Sequence, residues 1–179
     1  MSSEGDRSRG ALLLVDFQRD FLAPDGRMPV DRDQVEPLLA AARRQVEMAE
    51  ADGDLIVKIG NEFRSSDLIG NLFRHHASMQ GSAGSAWDGR IDPPGAAYVA
   101  KWKSNAFCNP ELGAALAEAQ VDRVRLAGLY TKACISATAK AAVGRGLSVQ
   151  VIAEATACSS DKSRRMALDT LRRMGIDIV

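Results

Sequence analysis

Predominantly apolar runs alternate along this chain with longer stretches in which apolar residues recur at helical spacing. The runs are short enough to form buried strands and lie at 11–15, 54–60, 96–100, 122–127, 147–153 and 176–178. The stretches with helical spacing lie between them, at 31–51, 111–119, 132–145 and 161–174. In the first of these helices, one face carries Val35, Leu38, Leu39, Ala42 and Val46. The pattern predicts six strands that are connected mostly by helices.

This alternation indicates the fold class. Parallel strands need helical crossovers, which are right-handed and cover both faces of the sheet. We therefore predict an α/β fold, a three-layer α/β/α sandwich around a central six-stranded, mostly parallel sheet. Residues 10–179 are expected to form a single domain after a flexible N-terminal segment at 1–9. Residues 61–90 show only weak periodicity, and so long a segment in a compact domain is usually functional or carries small elements of its own.

Composition and charge narrow the range of partners. The chain has 179 residues, 46% of them hydrophobic, which is enough for one sizeable core. Its 23 acidic and 23 basic residues cancel, so a small neutral or zwitterionic substrate fits better than nucleic acid or an anionic membrane. No apolar stretch approaches the ~20 residues of a membrane span, and residues 1–9 lack the apolar core of a signal peptide. We therefore expect a cytoplasmic protein without a nucleic-acid or membrane partner.

Three chemically reactive residues come at the ends of predicted strands. Asp16 and Lys101 directly follow the first and third apolar runs, and Cys134 lies in the turn after the fourth. The carboxyl ends of parallel strands meet at one edge of a sheet, where open α/β folds hold their ligands. An acid, a base and a thiol are therefore expected to converge there. The unpaired N–H groups in the first turn of a helix favour a thiolate over a thiol, so Cys134 is well placed to react.

Each of these residues also has an ordinary structural explanation. Asp16 is a favoured N-cap type for a helix that begins near Gln18. Lys101 has Lys103 as a neighbour, and most lysines are solvated. Cys134 fits equally well as a small buried core residue. Taken singly, none of the three identifies a catalytic site.

The order of three motifs distinguishes between these explanations. The motifs are Asp16-Phe17-Gln18-Arg19-Asp20-Phe21, Lys101-Trp102-Lys103-Ser104-Asn105-Ala106-Phe107 and Gly128-Leu129-Tyr130-Thr131-Lys132-Ala133-Cys134. In these motifs the chain resembles the isochorismatase-like cysteine hydrolases, from about residue 11 to residue 157. Each motif alone is weak, but the ordered set is specific.

The resemblance implies an Asp16, Lys101 and Cys134 triad. Cys134 would attack a carbonyl carbon, Asp16 would take the thiol proton and return it to the departing amine, and Lys101 would stabilise the anion. Water would then cleave the resulting thioester. The turn contains a cis peptide bond in the family, which maps to Leu129-Tyr130 here. The N–H groups of Tyr130 and Cys134 are therefore assigned to the oxyanion hole.

Residues around the triad are candidates for substrate binding. Several aromatic residues flank it and are expected to wall an apolar pocket, although aromatic residues beside a sheet are often ordinary core. The resemblance alone suggests that Gln18 orients groups near Asp16. Arg74 is expected either to bind a substrate carboxylate or to form a surface salt bridge. The full set of predicted substrate-binding residues is Phe17, Gln18, Phe21, Arg74, Trp102, Phe107 and Tyr130.

The chain departs from the metal-dependent members of this family. Nicotinamidases carry Asp-x-His after the second strand and a further histidine, whereas this chain has Asn61-Glu62-Phe63. His75 and His76 are adjacent, so on a helix they would point about 100° apart and not share one ion. Cys108 and Cys158 are expected to be structural, and the cysteines show neither metal spacing nor a disulfide framework. We therefore predict neither a metal site nor a cofactor.

Three functions remain open at this point. Because Cys134 is retained, the resemblance favours hydrolysis of an amide, carbamoyl or lactam bond, as in N-carbamoylsarcosine-type amidohydrolases. The first alternative is vinyl-ether hydrolysis by the aspartate, as in family members without the cysteine; the second is a non-catalytic binding homologue. The turn after the first strand has no glycine cradle for a pyrophosphate, which argues against a nucleotide site. The family commonly forms dimers or tetramers, so a homo-oligomer acting on a small amide-like molecule is expected.

Overall fold

The structure, a computed structural model, describes residues 9–179 and contains one six-stranded sheet. Its strands are β1 (Gly10–Val15), β2 (Leu55–Asn61), β3 (Ala97–Lys101), β4 (Arg123–Leu129), β5 (Ser148–Ala157) and β6 (Asp177–Ile178). They lie in the order β3-β2-β1-β4-β5-β6, and every neighbouring pair is parallel. Helices pack on both faces, so the predicted α/β/α sandwich is confirmed.

The helices are α1 (Arg19–Leu22), α2 (Arg32–Asp52), α3 (Leu68–Phe73), α4 (Pro110–Glu118), α5 (Ser136–Val143) and α6 (Asp161–Arg173). Neither α1 nor α3 shows helical spacing in the sequence, because four and six residues are too few for a helical repeat. The helix predicted at 132–145 is divided, since one π-helical turn, Thr131–Ile135, leads directly into α5.

The apolar runs are continuous because the strands are buried on both faces. In β1, Leu13 and Val15 belong to a core cluster that also contains the apolar residues of α4, α5 and α6. Leu12 and Leu14 face the opposite way, into a cluster formed with α1 and α2. All residues from 11 to 15 have 0% exposure, so a polar side chain in this run would have no access to water.

The strand order reverses at β1. The chain proceeds from β1 to β2 and β3 on one side, then returns to place β4, β5 and β6 on the other. In open α/β sheets, the crevice at such a reversal is where ligands bind. Gly128 of β4 pairs with Val15 of β1 there, with φ of 130°. A Cβ atom at position 128 would lie 2.0 Å from the Val15 carbonyl oxygen, so only glycine allows this close approach.

Two remaining segments lie outside this sheet. The predicted flexible segment at 1–9 falls outside the described residues except for Arg9, whose carbonyl accepts hydrogen bonds from the N–H groups of Asp122 and Arg123. The excursion at 61–90 carries α3 and a short 3-10 turn, Ala83–Ser85. Between residues 9 and 179, no helix is long and apolar enough to cross a membrane.

Candidate active site

The structure brings Asp16, Lys101 and Cys134 together at the carboxyl edge of the sheet. Lys101 Nζ lies 3.0 Å from Asp16 Oδ2 and donates a hydrogen bond to Cys134 Sγ at 3.3 Å. The three residues are 1%, 0% and 6% exposed, respectively. A lysine with no exposure is not a solvated lysine, so the ordinary explanation for Lys101 is wrong. The three side chains form one buried, charged cluster.

The backbone at Asp16 turns its side chain toward Lys101. Asp16 has φ of 62°, a left-handed conformation at the point where the chain leaves β1. Its N–H donates to the Ile59 carbonyl at 2.7 Å, which ties this turn to β2. The N-cap of α1 is Gln18, and no side chain caps that helix. The alternative role of Asp16 as a helix cap is therefore wrong.

Burial sets the protonation of the three groups at rest. Burial raises the pKa of Asp16, although the Lys101 ammonium acts in the opposite direction. Burial would lower the pKa of Lys101, but attraction to Asp16 and Cys134 outweighs it and the pKa is raised. For Cys134, burial and then the Asp16 charge raise the pKa to about 11, against the influence of Lys101. At rest and neutral pH, Cys134 is therefore a neutral thiol beside the Lys101 ammonium.

This protonation corrects one expectation from the sequence. The first turn of a helix was expected to favour a thiolate at Cys134, but the thiol is buried beside a carboxylate and remains protonated. Only a single π-helical turn precedes α5, and its N–H groups do not outweigh that burial. Deprotonation of Cys134 must therefore accompany the reaction.

Hydrogen bonds fix the turn that carries Cys134. The Leu129-Tyr130 peptide bond is cis. The Tyr130 carbonyl accepts from the N–H groups of Ala133 and Ile135 at 3.0 and 3.2 Å. Thr131 Oγ1 donates to the Ala157 carbonyl at 2.9 Å, joining the turn to the end of β5. The N–H groups of Tyr130 and Cys134, which were assigned to the oxyanion hole, both belong to this fixed segment.

Asn61 is a site residue that the sequence analysis missed. Its Oδ1 accepts a hydrogen bond from Lys101 Nζ at 2.7 Å, and its Nδ2 lies 3.9 Å from Cys134 Sγ. Asn61 is the last residue of β2 and pairs in register with Lys101 of β3. A polar residue that directly follows an apolar run was the available signal, as it was for Asp16 and Lys101. In the sequence, position 61 was interpreted only as lacking a metal ligand.

Gln18 holds Asn61 in place. Its Nε2 donates to the carbonyls of Asn61 and Ser85, at 2.9 and 2.7 Å, and its Oε1 accepts from the Asn61 N–H at 2.8 Å. The side chain is fully buried. These three bonds use both hydrogens of the Gln18 amide. The Gln18 side chain is therefore bound to the backbone of the segment at 61–90, at Asn61 and Ser85.

Most of the predicted aromatic residues are buried in the two core clusters. Phe17 and Phe21 are buried in the cluster beneath α1 and α2, with Phe21 edge-on to Tyr130 at 5.9 Å. The Tyr130 hydroxyl donates to the Met28 carbonyl. Phe107 belongs to the opposite core cluster. Four of the predicted pocket residues therefore contribute mainly to the packing around the site.

Two of the predicted residues are engaged by the excursion. Trp102, half-buried next to Lys101, has the Arg64 guanidinium 4.5 Å from its ring centroid. Arg74 forms an ion pair with Asp67 and lies 3.9 Å from the ring centroid of Phe63. Of the two roles expected for Arg74, the structure shows the salt bridge.

Comparison with known proteins places this arrangement in a family. The family model described as the isochorismatase domain matches residues 10–179. The chain belongs to the isochorismatase family. It is 26% identical over 172 residues to the uncharacterized isochorismatase family protein PncA of Bacillus subtilis strain 168, covering 88% of this chain and 91% of that protein. The resemblance stated from the three motifs is confirmed.

Solved structures of the isochorismatase family share the fold. An isochorismatase-like hydrolase from Alkaliphilus metalliredigens gives a TM-score of 0.87 at 22% identity, covering 96% of this chain and 94% of that one. The pyrazinamidase of Pyrococcus horikoshii in complex with zinc gives 0.84 at 25% identity, covering 96% and 98%. N-carbamoylsarcosine amidase from Thermoplasma acidophilum gives 0.81 at 23% identity, covering 95% of both chains.

The isochorismatase-family site in this chain does not offer metal ligands. Among residues 9–179, no group of three or more His, Cys, Asp or Glu side chains is arranged to hold a metal ion. At the end of β2, the Asn61 amide is engaged by Lys101 and the next candidate position is the apolar Phe63. His75 and His76 lie after α3 and are both exposed. The donor set around Cys134 therefore does not fit a zinc ion.

Proposed function

We propose that this protein is a cysteine hydrolase that cleaves a carbon–nitrogen bond of a small molecule, in an amide, carbamoyl or lactam group, through a thioester. The observation that carries the proposal is the contact of Lys101 Nζ with both Asp16 Oδ2 and Cys134 Sγ. A carboxylate, an ammonium and a thiol in contact provide a base, a counter-charge and a nucleophile. Cys134 is only 6% exposed, which favours a small substrate over a polypeptide.

In the first half-reaction, Cys134 Sγ attacks the carbonyl carbon while Asp16 takes the thiol proton. A carbon–sulfur bond forms, and the carbonyl oxygen becomes an oxyanion that accepts hydrogen bonds from the N–H groups of Tyr130 and Cys134. The intermediate then collapses, the carbon–nitrogen bond breaks, and Asp16 gives its proton to the leaving nitrogen. Ammonia or an amine departs, leaving a thioester on Cys134.

In the second half-reaction, water attacks the thioester carbon while Asp16 removes its proton. The carbon–sulfur bond breaks as the tetrahedral intermediate collapses, and the proton on Asp16 returns to sulfur. The product is an acid, and the site regains its resting protonation. Lys101 stays charged throughout, so it stabilises the sulfur whenever it carries negative charge. Burial keeps this attraction strong because little water screens it.

The pH dependence of kcat/KM tests the role of Asp16. Protonated Asp16 cannot accept the thiol proton, so we expect kcat/KM to fall as pH falls through the pKa of this group. Because burial raises that pKa, the midpoint of the acidic limb should lie above 3.8, the ordinary aspartate value. The measurement is release of ammonia from primary amides and N-carbamoyl amino acids across the acidic and neutral range. A rate that stays constant down through the ordinary aspartate range would contradict Asp16 as the base.

We also propose that the protein is a homo-oligomer in which a second copy covers α3. This helix exposes Leu68, Ile69, Leu72 and Phe73 at 68 to 80%, and a group of exposed apolar side chains on one short helix is typical of an interaction site. The formal net charge of zero means that two copies do not repel each other at long range.

Light scattering on the purified protein tests this assembly. We expect a dimer or tetramer for the wild type and a smaller mass for the double variant Leu72→Ser with Phe73→Ser. Met166 of α6 is also apolar and 61% exposed, so Met166→Ser is the matched control and should leave the mass unchanged. A monomeric wild type would exclude the assembly, and a mass change only in the control would place the interface on α6.

A further inference from the structure

The side chain of Asn61 lies between two members of the proposed triad. Its Oδ1 accepts from Lys101 Nζ at 2.7 Å, and its Nδ2 is 3.9 Å from Cys134 Sγ, within hydrogen-bond range for sulfur. Asn61 is 2% exposed, so water does not compete for these contacts. The amide therefore connects the ammonium to the nucleophile.

The chemistry of Lys101 fixes the orientation of this amide. An ammonium group only donates hydrogen bonds, so the oxygen of Asn61 must face Lys101 and the nitrogen must face the sulfur. The Lys101 ammonium has three hydrogens and three partners, namely Asp16, Asn61 and Cys134. Without Asn61, one hydrogen of a fully buried ammonium would have no acceptor in this cluster.

The backbone of Asn61 is held as firmly as its side chain. Gln18 bonds to both its N–H and its carbonyl, at 2.8 and 2.9 Å, and Ser78 Oγ donates to the same carbonyl at 2.7 Å. Gln18 and Ser78 both have 0% exposure. Three buried bonds on one residue preorganise its side chain before any substrate binds.

We propose that Asn61 is a positioning residue for the nucleophile: it holds the Lys101 ammonium against Cys134 and donates its own N–H to the sulfur as the thiolate forms. This inference rests on the proposed thioester mechanism for its catalytic meaning. Asn61 makes no covalent bond and transfers no proton; it acts through Lys101 and Cys134.

The neutrality of Asn61 is part of this role. The formal charges of Asp16, Lys101 and Cys134 sum to zero before the thiol proton moves to Asp16, and they sum to zero afterwards. A carboxylate at position 61 would bring the sum to −1 and would compete with the sulfur for the Lys101 ammonium. At 2.7 Å from Nζ, that competition would be strong. Formation of the thiolate would then be disfavoured.

The test is the rate of Cys134 alkylation by iodoacetamide against pH, followed by peptide mass spectrometry. For Asn61→Asp we expect the midpoint of the profile to rise by about one pH unit or more. The alkylation rate at neutral pH should then be at least about tenfold lower than that of wild type. Asn61→Ala should shift the midpoint in the same direction by a smaller amount, since it removes the donor without adding charge. In both variants kcat/KM should fall more than KM changes.

Asn105→Asp is the matched control. Asn105 is half-buried, and its Oδ1 accepts from the Phe107 N–H at 2.9 Å, which a carboxylate also does. Its profile should match wild type. Thermal melts of all variants separate unfolding from a local effect, and if Asn61→Asp does not fold, the Asn61→Ala profile decides.

Two outcomes separate this inference from the proposed function. If both Asn61 variants fold and alkylate with the wild-type pH profile, Asn61 has only a structural role and the inference is wrong. Alkylation needs no substrate, so it reports on Asn61 even if the wild type hydrolyses no amide. In that case, a shifted profile would support the positioning role while the amide hydrolase proposal falls.

Discussion

Replacing Cys134 with alanine is expected to lower kcat for amide hydrolysis by at least about 10⁴-fold, because the nucleophile that forms the thioester is lost. The fold should survive, since alanine removes one sulfur atom from the edge of the core cluster. The measurement is ammonia release by the purified variant on the best substrate of the wild type. Intact mass spectrometry of the wild type under turnover should also show an acyl adduct that the variant lacks.

Cys158→Ala is the control for this loss. Cys158 is fully buried in the other core cluster, and its hydrogen bonds to Gln34 are made by the backbone, which alanine retains. We expect turnover close to wild type. If Cys134→Ala kept its ammonia release, the thioester mechanism would be wrong. If wild type and Cys134→Ala instead hydrolysed a vinyl ether at the same rate, acid catalysis by Asp16 would replace the thioester mechanism. If neither the wild type nor Cys134→Ala hydrolysed any amide or vinyl ether, the non-catalytic alternative would remain.

Replacing Lys101 with methionine is expected to lower the free energy of unfolding by about 3–5 kcal/mol at neutral pH. The variant would leave the Asp16 carboxylate buried at 1% exposure without the ammonium that lies 3.0 Å from it. The measurement is urea denaturation of wild type and variant. Lys103→Met is the control, because Lys103 is exposed and two residues away, and its effect should stay within about 0.5 kcal/mol.

The pH dependence of the Lys101→Met loss identifies its cause. Losing the nearby ammonium raises the pKa of Asp16 further above its unfolded value, so the folded state binds the proton more tightly than the unfolded state. The destabilisation should therefore shrink as pH falls toward and below the folded pKa. Adding Asp16→Asn should recover much of the stability at neutral pH. A loss independent of pH and of Asp16 would indicate packing as the cause.

The strands and the convergence of the triad were accessible from the sequence for one physical reason. Strands buried on both faces must be apolar along their length, so Asp16 and Lys101 each mark the position where a strand ends. β5 shows the limit of this pattern, because it continues to Ala157 although the prediction ended at 153. Glu154 is exposed and interrupts the apolar run, while the pairing with β4 extends past it through an irregular register.

The contacts within the site depended on strand order, which the sequence does not encode locally. Asn61 meets Lys101 because β2 and β3 are neighbours in a specific register. The raised pKa of Cys134 likewise comes first from burial and then from Asp16, which is 118 positions away along the chain. Arg74 was assigned an open role because its partner, Asp67, lies in a segment with weak periodicity. Each of these features comes from tertiary neighbours.

Gly128 affects the geometry of the active site because it has no side chain. β1 delivers Asp16 and β4 delivers Cys134, and the two strands touch at Val15 and Gly128, one residue from the former and six from the latter. Any side chain at position 128 would force β1 and β4 apart. The distance between these two strands sets the spacing between the proton acceptor, Asp16, and the nucleophile, Cys134. A screen for inactive variants would therefore recover position 128 alongside the triad, although glycine has no side chain with which to act on a substrate.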